Sequence, residues 1–234
     1  MKSKPGALAL SLILTASSVA SMLGVAACGG DRPRQGGAGD GGAGGDAAGG
    51  DTSASAPRWL SNAGFTEPPK SIAPDPGEEG YLAAARLTPP YYPFTVTRIS
   101  YRLVHGSSAG GAACDALAAH RVEVSSSTAI VPAASPSPVV LTEPQGSASD
   151  VIDVVRDVDR DLPAPLTLTP GEHLFVAVAL TGTYPNVMCI GINSDDPFDA
   201  DRNYWSRAAA APYDWTSLST FNLDGSLLLS ARGQ

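Results

Sequence analysis

The sequence predicts an all-β chain, an antiparallel β-sandwich or jelly-roll-like single domain carried behind a signal peptide and a disordered Gly-rich linker. Three observations lead to that class. The apolar residues come in short, β-branched runs that alternate with polar ones. Pro, Gly, Ser or Asp bounds almost every run. Only residues 112–120 and 208–211 have the composition for a helical turn or two, and no internal repeat is visible.

The first five residues carry Lys2 and Lys4, and residues 6–25 are uncharged and largely apolar. That is the layout of a secretory leader. Its Ser, Thr and Gly make it a poor membrane span, which needs about 20 strongly apolar residues. The run ends in Val25-Ala26-Ala27-Cys28, which resembles the lipobox of bacterial lipoproteins. The resemblance implies that residues 1–27 are removed, that Cys28 is acylated with palmitate-type chains and that the chain is held at a membrane outside the cytoplasm. Gly29 and Gly30 follow the cysteine with no Asp, which resembles the outer-membrane sorting pattern. Ordinary cleavage at an Ala-x-Ala-like site, or a retained anchor, are the alternatives.

Residues 28–57 are Gly, Ala, Asp and Ser with little to bury, so they cannot offset their own conformational entropy and are expected to stay disordered. Such a coil would hold its cargo roughly 30 Å from the lipid headgroups. Residues 58–77 place Trp59-Leu60 and Phe65 among prolines and read as an irregular strap. The β-sandwich is expected over 78–234.

The strand assignments follow in order. Tyr81 to Leu87 has helical propensity, but Pro89-Pro90 and its neighbours favour a strand. Phe94 to His105 alternates, with Phe94, Val96, Arg98, Ser100 and Arg102 on one side and Ile99, Tyr101 and Leu103 on the other. Further strands are expected at His120–Ser126, Val139–Thr142 and Val151–Asp159. Leu166–Thr169 and His173–Leu180 flank Pro170-Gly171, the best hairpin signal in the chain. Met188–Ile192, Asn203–Arg207 and Ser226–Arg232 complete the set. The expected core is Ile99, Leu103, Val122, Val140, Val154, Phe175, Val178, Ile190, Trp205 and Leu228. The lead-in strand, the Pro170-Gly171 turn and Tyr204-Trp205 together resemble β-sandwich modules of secreted bacterial proteins, a likeness that implies fold more than activity.

The formal charge is −8, and loss of Lys2 and Lys4 with the leader would leave 13 basic and 23 acidic side chains, net −10. With no basic run, phosphates have nothing to condense on, which argues against nucleic acid as a partner. If Cys28 is lipidated, Cys114 and Cys189 remain and read as one disulfide in an oxidising compartment. Two buried thiols are the bland alternative. A bridge closing so long a loop would stabilise the fold by roughly 4 kcal/mol.

Three constellations carry chemistry. Gly106-Ser107-Ser108-Ala109-Gly110 matches the nucleophile-elbow pattern, and Asp157 or Asp159 and then His173 follow in hydrolase order. The parallel strands and crossover helices of a hydrolase are missing from the pattern, so chance is the simpler reading. Asp157, Asp159 and Asp161 fit the solvated face of a strand. Asp195, Asp196, Asp199 and Asp201 cluster in a loop and are the better calcium candidates. Tyr184, Tyr213 and Trp215 are candidate ligand-stacking aromatics at the surface, whereas Trp205 is expected in the core. His105, His120 and His173 show no partner in sequence.

The expected function is a non-catalytic binding or interaction module at the cell envelope, with a glycan or an envelope protein as ligand. A structural lipoprotein and a serine hydrolase-like enzyme are the alternatives. Labelled palmitate should enter the wild-type chain and be lost in Cys28→Ser; label retained in the variant would place the acyl chain elsewhere.

Overall fold

The computed structural model describes residues 56–64, 70–107, 112–194, 199–221, 223 and 225–234. In chain order its strands are β1 Arg58–Ser61, β2 Lys70–Ile72, β3 Leu82–Leu87, β4 Phe94–Val104, β5 Gly106–Ser107 and β6 Ala113–Cys114. Then come β7 His120–Ser127, β8 Val139–Glu143, β9 Val155–Leu168, β10 His173–Ala179, β11 Gly182–Thr183 and β12 Asn186–Val187. The last are β13 Cys189–Asn193, β14 Asn203–Ser206, β15 Trp215–Ser217, β16 Ser226–Leu227 and β17 Leu229–Gly233. The helical content among the described residues is three single 3-10 turns, at 148–150, 200–202 and 218–221.

These strands make an antiparallel β-sandwich. One sheet runs β1-β17-β4-β13-β16, with β9 on the other side of β4 and β2 beside β13; its partner runs β15-β14-β3-β10-β7-β8. A small third sheet, β11-β12-β6-β5, contains the one parallel pairing among the described strands, β12 with β6. Cys114 on β6 and Cys189 on β13 form a disulfide with a Cα–Cα distance of 5.3 Å, as their pairing in sequence predicted.

Strand β4 does not alternate as a plain strand. Phe94 and Val96 are fully buried, and so are Ile99, Tyr101 and Leu103, which strict alternation would put on the opposite face. Between them the register slips: Gly233 pairs with Val96 and Arg232 with Arg98, leaving Thr97 as the extra residue of a bulge. On the other edge Val96 faces Leu166 and Arg98 faces Asp161, so the excess there falls on Leu162-Pro163-Ala164-Pro165 of β9. The bulge turns both apolar sets inward and sends Arg98, Ser100 and Arg102 out together.

The inter-sheet core unites these residues with Val158, Leu168, Ile190, Ile192 and Leu229 of the first sheet. From the second sheet come Ala83, Ala85, Val122, Leu174, Val176, Val178 and Trp205. The second sheet is also covered behind. Leu82, Ala84, Phe175, Ala177, Ala179 and Tyr204 form another apolar layer beneath Tyr213 and Trp215. Burial on both faces explains why β3 is built from alanines, and why its helical propensity is overridden.

Several sequence expectations are corrected. Among the described residues of 58–77, the expected irregular strap includes two strands of the first sheet: β1 pairs with β17 and β2 with β13. Val151–Asp159 and Leu166–Thr169 belong to one strand, β9, apart from the turn at its start. Pro170-Gly171 does form a turn, with Glu172 N–H donating to Thr169 O at 2.9 Å and Gly171 at φ 88°. It is not a hairpin, because β9 pairs with β4 whereas β10 pairs with β3 and β7; the turn carries the chain from one sheet to the other. Val140 and Val154 are exposed. Val140 lies on an edge strand whose Val139 and Leu141 are the residues that meet the core.

Val154 sits in a two-residue turn whose ends, Ile152 and Val155, exchange both backbone hydrogen bonds. Asp153 and Val154 occupy this turn at φ 45° and 67°, where Asn-Gly would be comfortable and a β-branched residue is strained. Val154→Gly should therefore raise stability by about 1 kcal/mol, because the relieved strain exceeds the entropy gained by the unfolded chain. Chemical denaturation reads this, and an unchanged or lower midpoint would contradict it.

Candidate functional site

Two neighbouring polar groups lie inside the fold, one built on Tyr101 and His120 and the other on Glu143. Tyr101 donates from its hydroxyl to His120 Nε2 at 2.7 Å, and His120 Nδ1–H donates to Ala118 O at 2.8 Å. Nearby, Glu143 accepts from Arg156 and Arg160 on the same oxygen, Oε1, which leaves its buried Oε2 without a partner among the described residues. Burial pushes the His120 pKa down, so the ring is neutral in the fold. Tyr101, His120 and Glu143 are enclosed, and only the arginine end of the group reaches the surface, where Arg156 and Arg160 line a small hollow with Asp150.

The outer face of the first sheet is different. Side chains that point away from the core line up in rows across β1, β17, β4 and β9. In one row Trp59 faces Arg232, Arg232 faces Arg98 and Arg98 faces Asp161. In the next, Ser61, Ser230 and Ser100 lie side by side and end at Asp159. Beyond them Arg102 stands opposite Asp157. A line of serines between two rows of large side chains makes a trough by size alone. It encloses about 420 Å³ and is lined by Trp59, Ser61, Ser100, Asp157, Asp159 and Ser230. Across four strands it is about 14 Å long.

The walls of the trough are held by charge. Arg102 grips Asp157 with two hydrogen bonds, 2.7 and 2.8 Å, and Arg98 grips Asp161 at 2.7 and 3.2 Å. The Arg98 guanidinium keeps the Asp161 carboxyl below the usual carboxylate range. Between these two forks Asp159 is exposed and makes no ion pair among the described residues. Its backbone oxygen, not its carboxylate, accepts from Arg160. At the opposite end Trp59 is 49% exposed and presents the largest apolar surface in the trough. Ser100 and Ser230 are buried in the floor, and Ser61 and Ser230 donate to the carbonyls of Ala63 and Ser100, which leaves their oxygens as acceptors. With an aromatic plane and an unpaired carboxylate, the trough offers a polyhydroxylated ring stacking and hydrogen-bond acceptors.

The sequence-derived site residues mostly lie elsewhere. Cys28, Ser108, Asp195 and Asp196 fall outside the described residues. Tyr213 was expected at the surface and is instead buried, its hydroxyl donating to Glu123 Oε1 at 2.6 Å. It and half-buried Trp215 are the lid of the second sheet's outer layer, with Trp215 Nε1 donating to Ala133 O at 3.0 Å. Tyr184 is half-buried against the disulfide cluster, in a different apolar group from the other two. The three aromatics do not converge. Asp199 caps a 3-10 turn, accepting from Asp201 N at 3.0 Å, and pairs with Arg202 at 2.7 Å. Asp157 is held by Arg102 and His173 is hydrogen-bonded to Thr88 at 2.9 Å, while Asp159, the other expected acid, lies on β9 of the first sheet and His173 on β10 of the second. Trp205 is fully buried as expected.

Of the residues that line the trough, Asp157 and Asp159 stand out in sequence, but as acids of a triad pattern or a solvated strand face rather than as part of this site. Trp59 read as a knot in the strap, and Ser61, Ser100 and Ser230 carry no motif. The alternation of Trp59 and Ser61 about buried Leu60 was the available signal.

No family model matches the chain, and no curated protein matches it. Among solved structures it is similar to the cysteine protease and lectin-like domains of Cwp84, a surface layer associated protein of Clostridium difficile. The TM-score is 0.50 at 10% identity, over 76% of this chain and 36% of that one. A second structure of clostridial Cwp84, after propeptide cleavage, aligns with a TM-score of 0.48 at 10% identity, over 76% of this chain and 40% of that one. The chain thus spans little more than a third of the first structure, and the likeness is one of fold.

The neutral state of His120 sets a pH dependence. Its folded pKa lies below the ordinary 6.5, so below that pH the unfolded chain takes up a proton that the folded chain refuses. Stability should fall as pH drops through 6.5 and level off at the lower folded value. The slope contributed by this group is at most about 1.4 kcal/mol per pH unit. Denaturation of wild type and His120→Gln at pH 7 and pH 5, as test conditions, should show a smaller loss in the variant; equal losses would remove His120 from the account.

Proposed function

We propose that this chain is a lipid-anchored binding protein of the cell envelope, tethered through Cys28, whose β-sandwich holds a glycan in the trough of its first sheet without catalysis. The observation that carries the reading is the half-exposed Trp59 beside a line of three serines that ends in the unpaired carboxylate of Asp159. Pyranose rings stack on Trp59 while their hydroxyls bond to Asp159 and the serines. The trough is the length of about two to three sugar units, given about 14 Å across four strands. Fold likeness to a structure that contains a lectin-like domain, in a surface layer associated protein, supports both the ligand class and the envelope address. Outer-membrane attachment rests on the lipobox resemblance.

The detergent-purified full chain should bind members of a glycan array. Trp59→Ala and Asp159→Asn should each weaken that binding at least tenfold, equivalent to about 1.4 kcal/mol, with the thermal midpoint unchanged because both side chains are exposed. An array without signal, or variants that bind like wild type, would sink the proposal and leave a structural lipoprotein as the better account.

A further inference from the structure

The trough does not stop at Trp59. Next to it lies a second hollow of about 240 Å³, lined by Trp59, Ser61, Arg86, Thr88, Pro90 and Arg202 among others. Trp59 and Ser61 border both spaces. A chain laid along the serines therefore passes over β1, the outermost strand of its sheet, and enters the second hollow.

The chemistry changes along that path. The trough ends at Asp157 and Asp159, whereas the hollow has two guanidinium groups, the hydroxyls of Ser61 and Thr88 and no carboxylate among its described lining residues. Arg202 is paired with Asp199. Arg86 has no acidic partner among the described residues: its Nη1 donates to Ile130 O at 3.2 Å, and its buried Nε has no acceptor. A guanidinium left this incompletely bonded favours any anion that reaches it. The positive field of Arg86 is felt nearby, where His173 is held below its ordinary pKa by burial first and by Arg86 second. Trp59 faces Arg232 across the strand pair, so the approach to the hollow is basic on that side although the chain as a whole is acidic. Screening over about 8 Å lets this local pattern outweigh the net charge.

We propose that the hollow selects an acidic glycan, one whose unit beyond Trp59 carries a carboxylate of the uronic-acid class that pairs with Arg86, with Arg202 and the Thr88 hydroxyl beside it. This rests on the reading of the trough as a glycan site and adds a ligand class to it. Neutral units occupy the serine floor and stack on Trp59. The carboxylate is then placed at the end away from Asp157 and Asp159, where it is not repelled. The polarity of the site thus fixes the direction in which the chain lies.

The test uses the detergent-purified full chain, a panel of oligouronates and the methyl esters of the same oligosaccharides, with binding read by calorimetry. At least one acid should bind tenfold or more tightly than its ester. Arg86→Gln should bring the acid down to the ester's affinity while leaving the ester unchanged, whereas Trp59→Ala should weaken both. If Arg86→Gln unfolds, Arg202→Gln, at a more exposed position, should still reduce the preference. Acid and ester binding alike, or Arg86→Gln and Arg202→Gln that keep the full preference, would overturn acid selection and leave the trough standing. Binding only of neutral glycans would do the same. An absence of all glycan binding would overturn the trough as well.

Discussion

The bulge at Thr97 in β4 is the constraint on which both the core and the candidate site depend. Phe94 and Val96 precede it and Ile99, Tyr101 and Leu103 follow it, and all five are buried. A regular strand would have sent one of these sets to solvent, because side chains alternate strictly across a pleated sheet. The same slip turns Arg98, Ser100 and Arg102 outward in register with Ser230, Arg232, Asp157, Asp159 and Asp161. The serine line and the two Arg–Asp forks exist only in that register.

The two sheets divide the work by how their outer faces are treated. The second sheet carries an apolar layer on its outer face as well, sealed by Tyr213, Trp215 and the backbone of residues 130–134, which accepts hydrogen bonds from Arg86, Tyr204 and Trp215. The first sheet leaves its outer face polar and open. The trough accordingly lies on the outer face of the first sheet, while the hollow beside Trp59 also draws Arg86 and Leu87 from β3 of the second. The sealed side also explains where the aromatic residues of the last third of the chain have gone: they cover alanines, whose small side chains leave room for large rings to settle on the sheet.

Glycan binding by such a face would draw on rigidity more than on affinity of any single contact. The floor serines belong to three strands that are hydrogen-bonded to one another, and each wall pair is a bidentate or near-bidentate fork. Side chains fixed in this way lose little entropy when a ligand arrives. The disulfide between Cys114 and Cys189 fastens the small third sheet to β13, which pairs with the end of β4, and so ties the far end of the same strand.

Composition and local pattern were enough for the fold class, for most strands, for the Cys114–Cys189 pairing and for the burial of Trp205. Each of those depends on neighbours in sequence, on turn chemistry or on a count of cysteines. The Pro170-Gly171 turn was legible too, but its partner strands were not, since a turn constrains direction and not the sheet that receives the chain. The trough was invisible in sequence for the same reason. Its residues come from four separate stretches, around 59–61, 98–102, 157–161 and 230–232, and only strand pairing puts them side by side. Tyr213 was misjudged because a residue in a Pro-containing loop has no local period to show which side it faces; packing over Ala84 and Ala177 decided that. Sequence determined what could form strands and much of the core, though not the exposure of Val140 and Val154 or the burial of Tyr213. Tertiary pairing decided which polar residues meet, because the sites of a sheet are made between strands.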